Sequence, residues 1–141
     1  MSMLWGSVNK KTMNPVNKCV RSAARLCSGK TNYDHVSMDI KNKLKWLMPK
    51  NMYIYKCCVF IHRFLNRNTP KYFDDVVNLT KHDGRNGTLC RTSTIPKNKF
   101  GDRLLESVAM QHYNNLPITL RDDNFLPCFK HNLYNFLLES Q

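Results

Sequence analysis

Residues 51–66 read N-M-Y-I-Y-K-C-C-V-F-I-H-R-F-L-N, the most strongly apolar stretch of the chain. Ile54, Cys57, Cys58, Ile61, Phe64 and Leu65 recur at three- and four-residue steps, so an α-helix places them on one face, with Tyr53, Lys56, Phe60 and Arg63 around it. The stretch therefore reads as the central helix of a core. Cys57 and Cys58 read as buried apolar side chains rather than nucleophiles, because no His or acid is placed in sequence to activate either.

Working outward, Met13, Val16, Val20, Ala24 and Cys27 predict an amphipathic helix over residues 12–27, with Pro15 in its first turn and Ser28-Gly29 as its stop. Lys11, Lys18, Arg21 and Arg25 share the opposite face. Asp34-His35 opens a shorter helical stretch through residue 47 that carries Lys41, Lys43 and Lys45, and Met48-Pro49 closes it. Beyond the central helix, residues 66–70 are turn chemistry, and Thr69 before Pro70 caps a short helix. A polar linker covers residues 80–87. Residues 88–100 have moderate strand propensity, broken by Pro96. Residues 102–115 are helical, with Leu104, Leu105, Val108 and Ala109 inward. A last helix starts at Asp122-Asp123-Asn124 and carries Phe125, Cys128, Phe129, Leu133, Phe136 and Leu137 on one stripe.

The expected fold is mainly α: a small bundle of about five or six helices with one short extended segment or weak hairpin. Residues 1–80 form a basic helical subdomain and residues 81–141 a smaller C-terminal segment packed with it as one domain. The length of 141 residues, with 42% hydrophobic and 23% charged residues, supports one real core.

Charge separates the two halves. The chain carries +12 overall, but residues 1–63 hold 12 basic and 2 acidic side chains while residues 64–141 hold 10 and 8. Such a balance suits a phosphate-rich partner, and it concentrates the attraction in the N-terminal half. The six cysteines form no C-x-x-C pair and the histidines stand at no zinc-finger spacing, so no metal site or other cofactor is expected. No apolar run reaches membrane-span length and the first residues lack a signal-peptide core, which points to a cytoplasmic or nuclear protein with reduced thiols and no membrane partner; no small-molecule substrate is expected either. Asn78 and Asn86 stand in formal glycosylation sequons that read as loop residues without a secretory route.

Tyr72-Phe73-Asp74-Asp75 has the form of the metal-binding turn of a polymerase palm. Such a turn sits at the tip of a strand-turn-strand, and its two-metal chemistry needs a further carboxylate on a neighbouring strand. The approach here, Asn66-Arg67-Asn68-Thr69-Pro70-Lys71, is polar and contains a proline, and the nearest upstream acid, Asp39, lies in a lysine-rich helical pattern. Asp74 and Asp75 therefore read as acids near the N-terminus of a short helix, where the macrodipole favours them.

Several separate stretches share a resemblance. Leu4-Trp5-Gly6-Ser7 followed by Asn17-Lys18-Cys19-Val20-Arg21-Ser22-Ala23-Ala24-Arg25-Leu26, then Leu44-Lys45-Trp46-Leu47-Met48-Pro49, Pro70-Lys71-Tyr72, Thr94-Ile95-Pro96, and finally Asn114-Asn115-Leu116-Pro117 with Leu120-Arg121, Phe125 and Phe129-Lys130, occur in this order. In that order they resemble the region after the polymerase core in non-LTR (LINE-type, jockey-like) retrotransposon reverse transcriptases. His112-Tyr113 stands where that family usually shows a Trp before the Asn, and residues 81–91 match poorly.

The resemblance implies a C-terminal segment of a retrotransposon polyprotein, downstream of palm and thumb, with the catalytic aspartates outside it. Its parent copies RNA into DNA at a nicked target. The expected role is non-catalytic contact with template RNA or target DNA, alongside the rest of the reverse transcriptase where the chain is longer. Lys11, Lys18, Arg21, Arg25, Lys41, Lys43 and Lys45 are the expected phosphate contacts, and Trp5 a stacking platform, with Tyr53 and Tyr55 as further aromatic candidates. Two other readings stand beside it: an inactive structural remnant of a decayed element, and a metal-dependent polymerase using Asp74 and Asp75.

Overall fold

The computed structural model describes residues 10–67, 69–71, 79–84, 87–92 and 105–141. Helix α1 (Lys10–Ser28) leads into a π-helical turn (Asp39–Lys43), then helix α2 (Pro49–Leu65), strands β1 (Leu79–Gly84) and β2 (Gly87–Thr92), and helices α3 (Leu105–Asn114), α4 (Ile118–Arg121) and α5 (Leu126–Glu139). The described residues are mainly helical, as the apolar periodicity predicts, and they include a small two-stranded antiparallel sheet. Trp5, Asp74, Asp75, Asn78 and Asn86 lie outside the described residues, as does the chain between residues 93 and 104.

Helix α2 is the centre of the larger core. Pro49 occupies its first turn, where a missing N–H costs nothing. Its C-terminus closes on Asn66 and on Arg67, whose φ of 53° is left-handed. Cys57, Cys58 and Ile61 are fully buried against Ala109 and Tyr113 of α3 and Phe129, Leu133 and Leu137 of α5. Burying a side chain the size of Phe129 stabilises the fold by about 1.5–3 kcal/mol. Two flanking residues that the periodicity does not assign to the core, Tyr53 and His62, are buried as well. Tyr53 meets the His112 ring edge-on at 6.1 Å, and His62 stacks on Phe129 with ring centroids 3.9 Å apart.

The sheet differs from the sequence expectation. The polar linker expected over residues 80–87 is largely strand β1, paired from Leu79↔Thr92 to Gly84↔Gly87, so the hairpin begins upstream of the expected 88–100 segment and shares residues 88–92 with it. Among its described side chains Leu79 and Cys90 are the buried ones; with half-buried Leu89 they are the apolar residues of otherwise polar strands, which is why alternation is weak in the sequence. The expected subdomain boundary at residue 80 falls inside β1.

Asn114, at the end of α3, fixes the hairpin. Its side-chain amide donates to the Cys90 carbonyl at 2.8 Å and its oxygen accepts from the Cys90 N–H at 2.9 Å. For one residue, that side chain takes the place of a third strand. Nearby, the buried Arg121 donates from Nε to the Leu116 carbonyl at 3.0 Å, and the Tyr113 hydroxyl donates to the Arg121 carbonyl at 3.4 Å. Tyr113, Asn114, Leu116, Arg121 and Phe129 thus tie the hairpin and α3 to the last helix.

A second, smaller cluster consists of Ala24, Val36 and Ile40, with Leu44, Trp46 and Met48 against it. It joins α1 to the π turn. Tyr134 of α5 donates its hydroxyl to the Lys45 carbonyl at 2.7 Å, and the Gln141 amide pairs with Met48 N–H at 3.0 Å and Trp46 carbonyl at 2.9 Å. The C-terminal end of α5 therefore joins the small cluster to the main core.

Candidate nucleic-acid interface

Helix α1 ends as the sequence predicts. Gly29 adopts φ 64°, its N–H bonds Leu26 carbonyl at 3.3 Å, and Lys30 N–H bonds Arg25 carbonyl at 2.9 Å, the two bonds of a Schellman motif. The helix meets the rest of the described residues chiefly through its C-terminal half, at Ala24. Its apolar stripe is consequently only partly covered: Val16 and Cys27 are exposed, and Met13 and Val20 half-buried. Spacing predicts the stripe, but a short neighbouring turn covers only its end.

The cations of α1 fall into two groups. Lys11, Lys18 and Arg21 are exposed, and among the described residues none has an ion-pair or hydrogen-bond partner. Arg25 is half-buried and donates from Nε to the Asp34 carbonyl at 3.3 Å. Asp34 in turn accepts from the Thr31 N–H at 2.8 Å and the Thr31 hydroxyl at 2.9 Å, bonds that hold its carboxyl below the usual range. Arg25 is thus committed to shaping the loop after α1.

The stretch expected to be helical over residues 34–47 contracts to the π turn. Leu44 N–H reaches back to Asp39 carbonyl at 2.9 Å, and Lys45 at φ 51° ends the turn. Asp39 is 5% exposed and organises this region. Lys30 pairs with one of its oxygens and Lys43 with the other at 3.2 Å. The Lys30 hydrogen bond, then that of Lys43, hold the Asp39 carboxyl below its ordinary value against the opposing effect of desolvation. Lys41 donates to the Glu139 carbonyl at 2.7 Å, placing a cation at the negative end of the α5 dipole. Lys45 is exposed, with no partner for its ammonium among the described residues.

Of the seven lysines and arginines that the sequence nominates, Lys11, Lys18, Arg21 and Lys45 are uncommitted, while Arg25, Lys41 and Lys43 have structural partners. The fold brings Arg21 and Lys41 together at a groove of about 320 Å³, bordered by Met38, Asn42, Met48 and Gln141. Tyr53 belongs to the core and is no stacking platform, whereas Tyr55 is half-buried. Asp39 and Lys30 escape sequence reasoning because their pairing spans a loop, although an acid among lysines is the signal that marks it.

The thiols support the apolar reading. Burial pushes Cys57 and Cys58 up and Cys90 up to about 12, so none is a thiolate at neutral pH. Among the described residues no cluster of His, Cys, Asp and Glu could hold a metal ion, and no helix is long and apolar enough to cross a membrane. In comparisons with known proteins, no family model, curated protein or solved structure matches this chain.

Proposed function

We propose that the chain is a non-catalytic C-terminal segment of a non-LTR retrotransposon reverse transcriptase that contacts template RNA or target DNA through its basic N-terminal half. The observation that carries the contact is the set of cations Lys11, Lys18, Arg21 and Lys45, exposed and without partners for their side chains among the described residues, in a half of the chain holding 12 basic and 2 acidic residues. The parentage rests on the ordered resemblance from Trp5 to Lys130. Each phosphate met by one of these side chains releases counterions, so binding responds steeply to salt. Fluorescence anisotropy with a labelled oligonucleotide between 50 and 200 mM salt is expected to give a log–log slope of about −3 for four contacts on a single strand. A flat response overturns the reading. Replacing Lys11, Lys18 and Arg21 together by Gln is expected to remove roughly two units of that slope and to weaken all sequences alike.

A further inference from the structure

On the side of α2 that carries Tyr55, Lys56, Val59, Phe60 and Arg63, the helix borders a groove of about 490 Å³ that is also lined by Lys130 of α5 and by Thr69 and Pro70. Its volume lies within the range of small-ligand sites. Three of its lining side chains are cationic and none is acidic. Lys56 and Arg63 are exposed and Lys130 half-exposed, and among the described residues none of the three has a carboxylate partner. Lys56 and Arg63 are seven residues apart, two turns or about 10.5 Å along the axis, so they stand in line on one face. Between them Val59 and Phe60 form an apolar floor, and Tyr55, held edge-on by Tyr134 at 5.8 Å, adds an aromatic wall.

We infer that this groove is a second nucleic-acid site, distinct from the α1 surface, which takes a single strand: Lys56, Arg63 and Lys130 meet its phosphates while an unstacked base lies against Tyr55 and the apolar floor. A row of cations beside aromatic side chains is the arrangement by which single strands are held without reading sequence. A base paired within a duplex keeps its faces stacked on its neighbours and cannot enter the groove. An acidic peptide would meet the same cations without needing the aromatic wall. The inference rests on the reading that nucleic acid is the partner, and it adds the strandedness and a separate location.

The full-length chain is titrated against a labelled mixed-sequence single strand, the matching duplex, and polyglutamate as a competitor. Lys56→Gln/Arg63→Gln/Lys130→Gln is compared with Lys11→Gln/Lys18→Gln/Arg21→Gln and with Tyr55→Leu, each checked by thermal melting. The groove variant is expected to lose about tenfold in single-strand affinity, to shed about two units of salt slope, and to leave duplex binding unchanged. Tyr55→Leu is expected to lose several-fold on the single strand alone. Wild-type affinity in the groove variant overturns the second site while leaving the α1 surface intact. Equal losses on strand and duplex, or displacement of the strand by polyglutamate at matched charge, overturn the single-strand assignment. No binding of either nucleic acid by the wild-type chain removes this inference and the α1 contact together.

Discussion

The two hydrophobic clusters use polar side chains in opposite ways. Around α2, α3 and α5, three polar side chains are engaged by backbone groups: Asn114 holds Cys90, Arg121 holds the Leu116 carbonyl, and His62 holds the Asp123 carbonyl at 2.7 Å. Around α1 and the π turn, where three apolar residues are buried, Lys11, Lys18, Arg21 and Lys45 are exposed and their side chains have no partners among the described residues. The larger core supplies stability; the smaller cluster positions charge. A protein whose cations served folding would pair them as Lys30 and Lys43 pair with Asp39, so the unpaired ones are those free to meet a ligand.

The strongest way to break the comparison is through the core. Phe129 is fully buried, stacks on His62, and touches both other long helices of the core, so Phe129→Ala is expected to cost about 3–5 kcal/mol by denaturant unfolding. Next comes Asn114→Ala, which strips the Cys90 N–H and carbonyl of their side-chain partner. It is expected to cost about 1–3 kcal/mol, with the largest rise in amide exchange in β2 rather than in α5. Equal exchange gains throughout would show that the hairpin and the helices unfold as a single unit.

His62 adds a pH dependence of smaller size. Its ring is buried, and desolvation lowers its pKa below 6.5 despite the opposing pull of the Asp123 carbonyl. Nε2–H donates to the Asp123 carbonyl, and the Asn66 side-chain nitrogen lies beside the ring, 3.2 Å from Nε2 and 3.4 Å from Nδ1. Because the folded pKa is depressed, the unfolded chain takes up the proton first as pH falls. Stability is therefore full above about pH 6.5 and declines as pH drops towards the folded value, by up to about 1.4 kcal/mol per pH unit. Urea midpoints measured from pH 7.5 to 5 should show that decline, and His62→Gln should flatten it. Asp39 has the same sign at lower pH: its depressed carboxyl supports the π turn above the ordinary carboxylate range and loses that support as pH falls through its folded pKa.

These contrasts also explain what the sequence reveals. Helix α2 is legible because its six apolar positions obey the helical period, and the C-terminal end of α1 because Gly29 has a local geometric reason to stand there; Pro15, expected in the first turn, lies inside the helix, which already runs from Lys10. His62 and Tyr53 are illegible, since their burial is decided by Asp123 and His112, residues distant in sequence. The hairpin is hidden by its polar composition; only Leu79 and Cys90 face inward among the described side chains, and the Asn114 link that fixes it is a tertiary event. On the candidate surface, residue type identifies every cation but not its commitment. Lys41 and Lys45 look alike in the sequence, yet one caps α5 and the other's ammonium has no partner among the described residues.

That last distinction yields the finest test. Lys18 and Arg25 lie seven residues apart on one face of α1, carry the same charge, and differ in that Arg25 donates to the Asp34 carbonyl. Lys18→Gln is expected to leave the melting temperature unchanged and to lower the salt slope of oligonucleotide binding by slightly under one unit. Arg25→Gln is expected to do the reverse: a destabilisation of about 0.5–1.5 kcal/mol, felt as faster exchange across residues 30–36, with little change in slope. If both substitutions alter binding equally, the Arg25 contact yields to the ligand, and commitment in the free protein does not predict which cations meet phosphate. If neither alters binding, the charge that matters lies elsewhere on the chain, and the division between a stabilising core and a charge-positioning cluster fails at α1.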